Sequence, residues 1–208
     1  MLNETGYLRL YLIRHGEVEG ASLGRVLGWT DTRLSETGIE QARRLRDSLS
    51  GKKLSAVYSS DLQRARVMAQ SIAEPHALEV RATASWREIN MGEWEECVIP
   101  SLHEHAPEMV KQLFEDPSSF QYPGGESFKD FVSRITLGLD QLVSSHDAGA
   151  IVLVTHGGVC RAIIGAALGI PVKNWLRLSQ DYGCVNVLDW YESLPVVRLI
   201  NGTTSDKL

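Results

Sequence analysis

Two short apolar runs, lying far apart in the chain, most constrain what this sequence can fold into. The first covers residues 8–13, and the second, rich in β-branched side chains, covers residues 151–155. A strand that is apolar along most of its length is typical of a sheet that helices cover on both faces. Amphipathic helical patterns separate the strand-like runs. The sequence therefore predicts an α/β fold, with its sheet layered between helices.

The other predicted elements alternate between helices and strands. Helices are predicted to begin at Ser35, Asp61, Ser127 and Gly157. The serines and the aspartate are expected N-caps, because their side chains accept hydrogen bonds from the free N–H groups of a helix start. Further strands are predicted at residues 55–59, 78–82, 184–190 and 196–200. We expect one domain over residues 1–208, with residues 97–123 as a small capping insertion.

Composition and charge narrow the classes of partner. The chain has 208 residues, of which 43% are hydrophobic and 23% charged, and its formal net charge is −5. A chain of this length can bury a sizeable core as one domain. Because the body is negative, it offers no overall basic field to nucleic acid or to an anionic membrane, and we expect neither as a partner. A pocket for an anionic substrate would have to be a local positive site.

Cysteine usage and the length of the apolar runs bear on the compartment. The three cysteines, Cys97, Cys160 and Cys184, show no CxxC spacing. An odd number of cysteines without such spacing favours free thiols in a reducing compartment. The apolar runs are shorter than a membrane span requires, and the first one lacks the basic flank and cleavage site of a signal peptide. We therefore expect a cytoplasmic protein.

Both apolar runs are followed by a histidine and a glycine, at the position where a ligand would bind. Arg14 and His15 follow the first run, and His156 follows the second. The carboxyl ends of strands in an α/β sheet open into the ligand crevice. There His15 can act as a nucleophile, Arg14 can hold an anionic oxygen, and His156 stands at a helix N-terminus that favours anions. These residues indicate an enzyme that handles phosphoryl groups.

Two more charged residues complete the candidate site. Arg64 falls in the first turn of a predicted helix, where its charge opposes the helix dipole unless it faces a bound anion. Glu88 lies in a loop and is the candidate acid. Taken alone, each is more often a solvent-exposed charge, and Arg87 is expected to be one. Zinc is the alternative that two histidines and a carboxylate suggest, but the spacing of zinc motifs is absent, so we expect no metal.

Five fragments in a fixed order resemble the histidine phosphatase (phosphoglycerate mutase-like) superfamily. They are residues 12–17 (LIRHGE) together with 28–38, then 59–65, 87–95, 123–127 (PGGES) and 155–158 (THGG). A lone Arg-His-Gly triplet is weak evidence of kinship. Five fragments in the family's order, spread over roughly residues 8–190, are much stronger evidence.

The resemblance implies a three-layer α/β/α sandwich with a mostly parallel central sheet, and a mechanism that uses neither metal nor cofactor. His15 would attack phosphorus and hold a phosphohistidine. Arg14, Arg64 and His156 would bind the phosphoryl oxygens and stabilise the charge of the transition state. Glu88 would protonate the leaving alkoxide and then activate the water that hydrolyses the intermediate.

Three glycines are implied as phosphate-binding positions, and two other positions depart from the family pattern. Gly16, Gly28 and Gly157 are candidates for places where the backbone approaches the phosphate closely. Many members carry Ser or Thr, and Asn, at the positions that Val18 and Ala21 occupy here. Two polar side-chain contacts to the phosphoryl group are therefore missing or replaced. This departure concerns the detail of the pocket and not the reaction class.

The resemblance leaves several functions open. A mutase must hold a bisphosphorylated intermediate, whereas residues 97–123 carry Lys111 as their one lysine or arginine against four acidic residues, so hydrolysis is favoured. The chain length and the closing segment 178–186 look most like alpha-ribazole phosphatases, which act in cobalamin assembly. A broad-specificity sugar or glycerate phosphatase and an inactive regulatory binding module are the alternatives. We expect a small phosphorylated metabolite as partner, and the sequence leaves a homodimer open.

Overall fold

A central sheet of six strands is the frame of the structure, a computed structural model that describes residues 6–192, 194–206 and 208. The strands are β1 (Leu8–Arg14), β2 (Leu54–Ser60), β3 (Val80–Thr83), β4 (Gly149–Thr155), β5 (Val185–Tyr191) and β6 (Leu194–Gly202). The helices are α1 (Glu36–Leu49), α2 (Gln63–Ala73), α3 (Ile99–His105), α4 (Pro107–Glu115), α5 (Phe128–Ser144) and α6 (Gly157–Ala167). Within the described ranges, no helix is long and apolar enough to cross a membrane.

The sheet is mostly parallel, as the sequence analysis predicted. Its strand order is β3-β2-β4-β1-β5-β6. The pairs β2–β3, β2–β4 and β1–β4 are parallel, whereas β5 runs antiparallel to β1, and β6 antiparallel to β5. Because β1 and β4 are parallel neighbours, the residues that follow them lie side by side at one edge of the sheet.

Helices cover both faces of the sheet and enclose two hydrophobic clusters. Alternate residues of β1 face opposite sides, with Leu10 and Leu12 in the cluster under α5 and α6, and Tyr11 and Ile13 in the cluster under α1 and α2. The four residues 151–154 of β4 are fully buried, as a continuous apolar strand between two helical layers must be. The predicted α/β fold is confirmed.

Two of the three predicted N-caps are present, and one prediction is wrong. Ser35 accepts a hydrogen bond from the Gly38 amide (3.1 Å), and Ser127 accepts one from the Asp130 amide (3.0 Å). Helix α2, by contrast, begins after Leu62, which has no capping side chain, and its Gln63 amide donates to the carboxylate of the distant Asp31 (2.7 Å). The Asp61 carboxylate binds the guanidinium of Arg87 in bidentate fashion instead. The carboxylate thereby forms two charge-assisted hydrogen bonds to a cation, where a cap would give it one to a backbone amide.

The segment 97–123 forms α3, α4 and a short 3-10 helix, and it packs into the main core. Its buried side chains are Leu102, Val110, Phe120 and Tyr122, which join the hydrophobic cluster under α5 and α6. The rings of Phe120 and Tyr122 lie 5.5 Å from the ring of Trp94. The segment therefore shares its packing with the loop that follows Glu88, and its being a capping insertion stays a prediction.

Candidate active site

The two histidines predicted at the strand ends lie next to each other. Register pairs Arg14 of β1 with Thr155 of β4, so each histidine follows directly after a paired position. The His15 amide donates to the Thr155 carbonyl (2.8 Å). The ring centroids of His15 and His156 are 5.0 Å apart, at an interplanar angle of 64°. Parallel pairing of two distant strands thus places both imidazoles at one edge of the sheet.

His15 is buried and held in one tautomer. Its Nδ1 lies 2.8 Å from the carbonyl oxygen of Gly16, and because a carbonyl only accepts, Nδ1 must carry the proton. The Nε2 lone pair is then free for attack. Burial, followed by the positive charges of Arg64 and Arg14, lowers the pKa of His15 well below its usual value. His15 is therefore neutral near pH 7, which is the form a nucleophile requires.

Arg64 is the most deeply buried cation of the site. Its side chain projects from the first turn of α2 and is 1% exposed. Its Nη1 donates to the Thr30 carbonyl and its Nη2 to the Gly28 carbonyl, both at 2.6 Å. The buried Nε has no hydrogen-bond partner among the described residues. Two backbone carbonyls therefore fix the guanidinium and leave its Nε–H group, together with the second N–H of each terminal nitrogen, for an anion.

Arg14 is also held by a backbone carbonyl, and it too has a buried Nε. Its Nη1 donates to the carbonyl of Gln180 (2.5 Å), and its buried Nε is unpaired within the described part of the chain. The guanidinium stacks on the ring of Tyr182, with its central carbon 3.9 Å from the ring centroid. The same ring lies 5.6 Å from the His15 ring. Tyr182 therefore contacts both site residues, although no sequence signal assigned it a role.

His156 is the N-cap residue of α6, and its imidazole ring is buried without hydrogen bonds to the described residues. Both of its ring nitrogens are buried and, as far as the structure describes the chain, have no hydrogen-bond partner. Burial, then the charges of Arg64 and Arg14, lowers its pKa well below the usual value. A buried polar group without a partner costs free energy. Together with the unpaired Nε groups of both arginines, these nitrogens form a site suited to a tetrahedral anion.

Glu88 lies against the N-terminus of α6. One carboxylate oxygen accepts from the Ile89 amide (3.0 Å) and the other from the Gly158 amide (2.8 Å). Its side chain is mostly buried, as the residue is 7% exposed. A Cβ atom at Gly158 would stand 2.2 Å from a Glu88 oxygen. The glycine therefore provides the space in which this carboxylate is held.

Arg134 of α5 holds the loop that carries Glu88. Its Nη1 donates to the carbonyls of Ser85 and Arg87 (both 2.9 Å) and its Nη2 to that of Glu88 (3.3 Å). The guanidinium also pairs with both oxygens of Glu126, at 2.8 and 3.0 Å. The sequence analysis missed this residue, because a lone arginine on an amphipathic helix carries no signal of what it will contact.

The structure places the three predicted phosphate-site glycines in different surroundings. A Cβ at Gly16 would lie 2.8 Å from the Gly38 carbonyl, and one at Gly157 would lie 3.4 Å from Nε of Arg14. Gly28 contacts Arg64 through its carbonyl, while its amide donates to Glu95 (3.0 Å). Contacts of these glycines with phosphate stay a prediction.

Val18 and Ala21, which depart from the family pattern, lie in different local structures, and Arg87 is not a fully exposed residue. Val18 is 1% exposed and forms an isolated bridge with Leu34, whereas Ala21 starts a short 3-10 helix. The expectation that Arg87 faces solvent is wrong. It is half-buried because it pairs with Asp61 and lies over the Trp29 ring, 4.8 Å from its centroid. The hydrogen bond from Arg87 also lowers the pKa of Asp61.

The sequence matches a known protein family along most of its length. The sequence profile of the histidine phosphatase superfamily (branch 1) matches residues 10–203. The chain belongs to this superfamily. The match includes all five residues of the candidate site and nearly the whole sheet. The predicted family membership is confirmed.

Individual relatives of this superfamily member carry several names. It is 32% identical to phosphoserine phosphatase 1 of Hydrogenobacter thermophilus over 94% of this chain and 93% of that protein. It is 34% identical to phosphoglycerate mutase-like protein 4 of Arabidopsis thaliana, over 77% and 71%. The alpha-ribazole phosphatase structure from Shigella flexneri superposes with a TM-score of 0.85 at 28% identity, over 93% of this chain and 96% of that one. The relatives thus include both phosphatases and a mutase-like protein, and they support a phosphatase enzyme.

Proposed function

We propose that this protein is a phosphomonoesterase that hydrolyses a small phosphorylated metabolite through a phosphohistidine on His15. One observation carries the proposal. Among the described residues, Arg14, Arg64 and His156 have buried nitrogens without hydrogen-bond partners, and these side chains lie close to a neutral histidine whose Nδ1 carries the proton. An anion that takes up these nitrogens stands in front of the nucleophile. Positioning and electrostatic stabilisation are what phosphoryl transfer requires.

The first step transfers the phosphoryl group to the enzyme. The Nε2 lone pair of His15 attacks phosphorus, the new P–N bond forms, and the P–O bond to the leaving group breaks. Arg14, Arg64 and His156 hold the equatorial oxygens. The leaving alkoxide takes a proton from the Glu88 carboxyl group, so that a neutral alcohol departs.

The second step regenerates the enzyme. Glu88, now a carboxylate, takes a proton from a water molecule, and the resulting hydroxide oxygen attacks phosphorus. The P–N bond breaks, inorganic phosphate leaves, and His15 returns to its neutral form. We propose that no metal takes part, since the two guanidinium groups supply the positive charge that a metal would otherwise provide and the neutral His156 imidazole can donate a hydrogen bond.

The proposed substrate is alpha-ribazole 5′-phosphate. The Shigella flexneri alpha-ribazole phosphatase superposes over nearly the whole chain, and the closing segment 178–186 supports the same assignment. A small phosphorylated acid is the second candidate, because the relative named phosphoserine phosphatase 1 has the higher identity, 32%. Mutase activity is less well supported. Residues 97–123 carry four acidic residues and only one lysine or arginine, so they offer little to bind the second phosphate of a bisphosphorylated intermediate.

The test is phosphate release in the presence of EDTA from alpha-ribazole 5′-phosphate, O-phosphoserine, 3-phosphoglycerate and p-nitrophenyl phosphate. We expect turnover by the wild type and a loss of at least about 10³-fold in kcat for His15→Ala, as for loss of a covalent nucleophile. His103→Ala, at an exposed histidine of α3, is the matched control and should leave turnover unchanged. Retained activity in His15→Ala contradicts the phosphohistidine.

The substrate profile decides between the candidates. Strong preference for alpha-ribazole 5′-phosphate supports the first, and preference for phosphoserine or phosphoglycerate supports the second. Conversion of 3- to 2-phosphoglycerate that a bisphosphate stimulates would show a mutase. A requirement for a metal, detected as loss of activity in EDTA, would contradict the proposed mechanism.

A further inference from the structure

The carboxylate of Glu95 accepts an unusual number of hydrogen bonds for one side chain. Three come from the consecutive amides of Gly28, Trp29 and Thr30, at 3.0, 2.7 and 3.1 Å. The Thr30 hydroxyl donates a fourth at 2.8 Å, and the amide of Met91 a fifth at 3.1 Å. Glu95 therefore binds the 28–30 loop along its N–H groups and connects it to the loop at residues 91–95.

The 28–30 loop binds Arg64 with its opposite groups. Its Gly28 and Thr30 carbonyls accept from the two terminal nitrogens of the guanidinium. The loop therefore lies between a carboxylate and a guanidinium, with N–H groups directed at the negative side chain and carbonyls at the positive one. Since one N–H of Nη1 and one of Nη2 bind the loop, and the guanidinium is planar, the orientation of the loop determines the direction of Nε–H and of the other N–H groups.

Steric contacts leave this loop little freedom. A Cβ at Gly28 would stand 2.4 Å from a Glu95 oxygen and 2.3 Å from the Ile89 carbonyl. The indole N–H of Trp29 donates to the Glu88 carbonyl (2.8 Å). The backbone of the loop therefore packs directly against the segment that carries the candidate acid, and Glu95 holds it there.

Glu95 stays charged under the conditions in which the site would work. Burial alone would raise its pKa, but hydrogen bonds from Trp29, Thr30 and Gly28 outweigh burial and hold the pKa below the usual value. A charged acceptor forms stronger hydrogen bonds than a neutral one. Burial lowers the pKa of Arg64. The negative charge of Glu95 opposes this effect and favours the charged form of the guanidinium.

We propose that Glu95 is a positioning residue for phosphoryl binding, which acts by fixing the 28–30 loop and, through its carbonyls, the guanidinium of Arg64. This inference rests on the proposed function, because it takes the anion at Arg64 to be the phosphoryl group. A residue that only stabilises the loop would affect the stability of the whole protein without a specific dependence on Arg64. Coupling between Glu95 and Arg64 is therefore the property that separates the two roles.

The experiment is a double-mutant cycle read out by vanadate binding, since vanadate mimics five-coordinate phosphorus. Calorimetry measures the vanadate Kd of the wild type, Glu95→Gln, Arg64→Met and the double variant, with thermal unfolding recorded for each. We expect Glu95→Gln to weaken vanadate binding by about tenfold or more when Arg64 is present, and by less than about threefold in the Arg64→Met background. Such a difference between the two backgrounds shows that the two residues are coupled. Glu93→Gln, at an exposed neighbour, is the matched control and should leave the Kd unchanged.

Each outcome either supports or overturns the positioning role of Glu95. An equal loss of affinity in both backgrounds, or no loss in Glu95→Gln, overturns the positioning role while leaving the proposed function intact. A wild type that binds no vanadate overturns both. If Glu95→Gln does not fold, Thr30→Val replaces it, because this change removes only the hydroxyl hydrogen bond. A Thr30→Val protein with wild-type affinity then overturns the inference, and an affinity loss that depends on Arg64 supports it.

Discussion

At the scale of single residues, the site depends on keeping one histidine uncharged beside two cations. Burial and the charges of Arg64 and Arg14 lower the pKa of His15, and the Gly16 carbonyl fixes its tautomer. In the proposed mechanism Glu88 has the complementary task, because its carboxyl group would give and then take a proton. Each of these roles depends on surroundings built from distant parts of the chain.

Replacement of the acid gives a residue-scale prediction. Glu88→Gln should lower kcat/KM for alkyl phosphates by about 10²- to 10⁴-fold, the usual contribution of general acid catalysis. The loss on p-nitrophenyl phosphate should be far smaller, because p-nitrophenolate leaves without a proton. Steady-state rates on the two classes of ester measure the difference. Equal losses on both would remove Glu88 from the role of acid.

At the scale of elements, the N-terminus of α6 organises the site. The strand β4 ends in Thr155, His156 caps the helix, and the Gly158 amide binds Glu88. A helix start supplies free N–H groups and a positive dipole end, so it attracts both the carboxylate and an anionic substrate. Glycine at the second helical position is costly for a helix, and the contact with Glu88 explains its presence.

Gly158→Ala tests this explanation. Alanine should favour the helix by about 0.5–1 kcal/mol relative to glycine, yet its Cβ would stand 2.2 Å from a Glu88 oxygen. We therefore expect a stability close to that of the wild type and a selective loss of activity on alkyl phosphates. Gly51→Ala is the matched control, since a Cβ there meets nothing within 4 Å. Full activity of Gly158→Ala on alkyl phosphates would show that Glu88 does not need this space.

At the scale of the whole molecule, a charged cluster on three adjacent strands holds the antiparallel side of the sheet. The Asp189 side chain of β5 is fully buried and pairs with Arg9 of β1 (2.7 Å) and Arg198 of β6 (2.9 Å). Burial opposes its ionisation, but hydrogen bonds from both arginines outweigh burial and lower the pKa of Asp189. The cluster therefore connects the parallel core to the antiparallel edge.

Asp189→Asn should destabilise the protein. We expect a loss of about 1–3 kcal/mol at pH 7, less than for a fully buried pair because both arginines are partly exposed. Because folding lowers the pKa of Asp189, its contribution is present above the unfolded-state value near 4 and disappears as the pH falls through the folded value. Urea unfolding at pH 7 and pH 3 measures both effects, with Asp140→Asn as an exposed control. A difference that grows at pH 3 would contradict this assignment.

Local sequence patterns determined much of this protein by themselves. Continuous apolar runs predict β1 and β4, and serine caps ahead of amphipathic stripes predict the starts of α1 and α5. Motif order was sufficient to predict the family and to select five candidate site residues. The predictions of elements succeed because periodicity, capping and strand burial are properties of neighbouring residues, whereas the roles of the five site residues stay predictions. The weakly patterned β3 begins two residues later than predicted, since an edge strand of four residues carries little signal.

Only the tertiary structure decided which side chains meet. Asp61 binds Arg87 instead of capping α2, Arg134 holds the Glu88 loop, and Glu95 binds the loop at residues 28–30. These contacts join residues 26, 47 and 65 positions apart in the sequence. No local pattern encodes such a pairing, because it depends on the register of strands and the path of loops. The sequence therefore determined the elements and indicated the candidate site residues, and the packing of distant segments decided how those side chains are held.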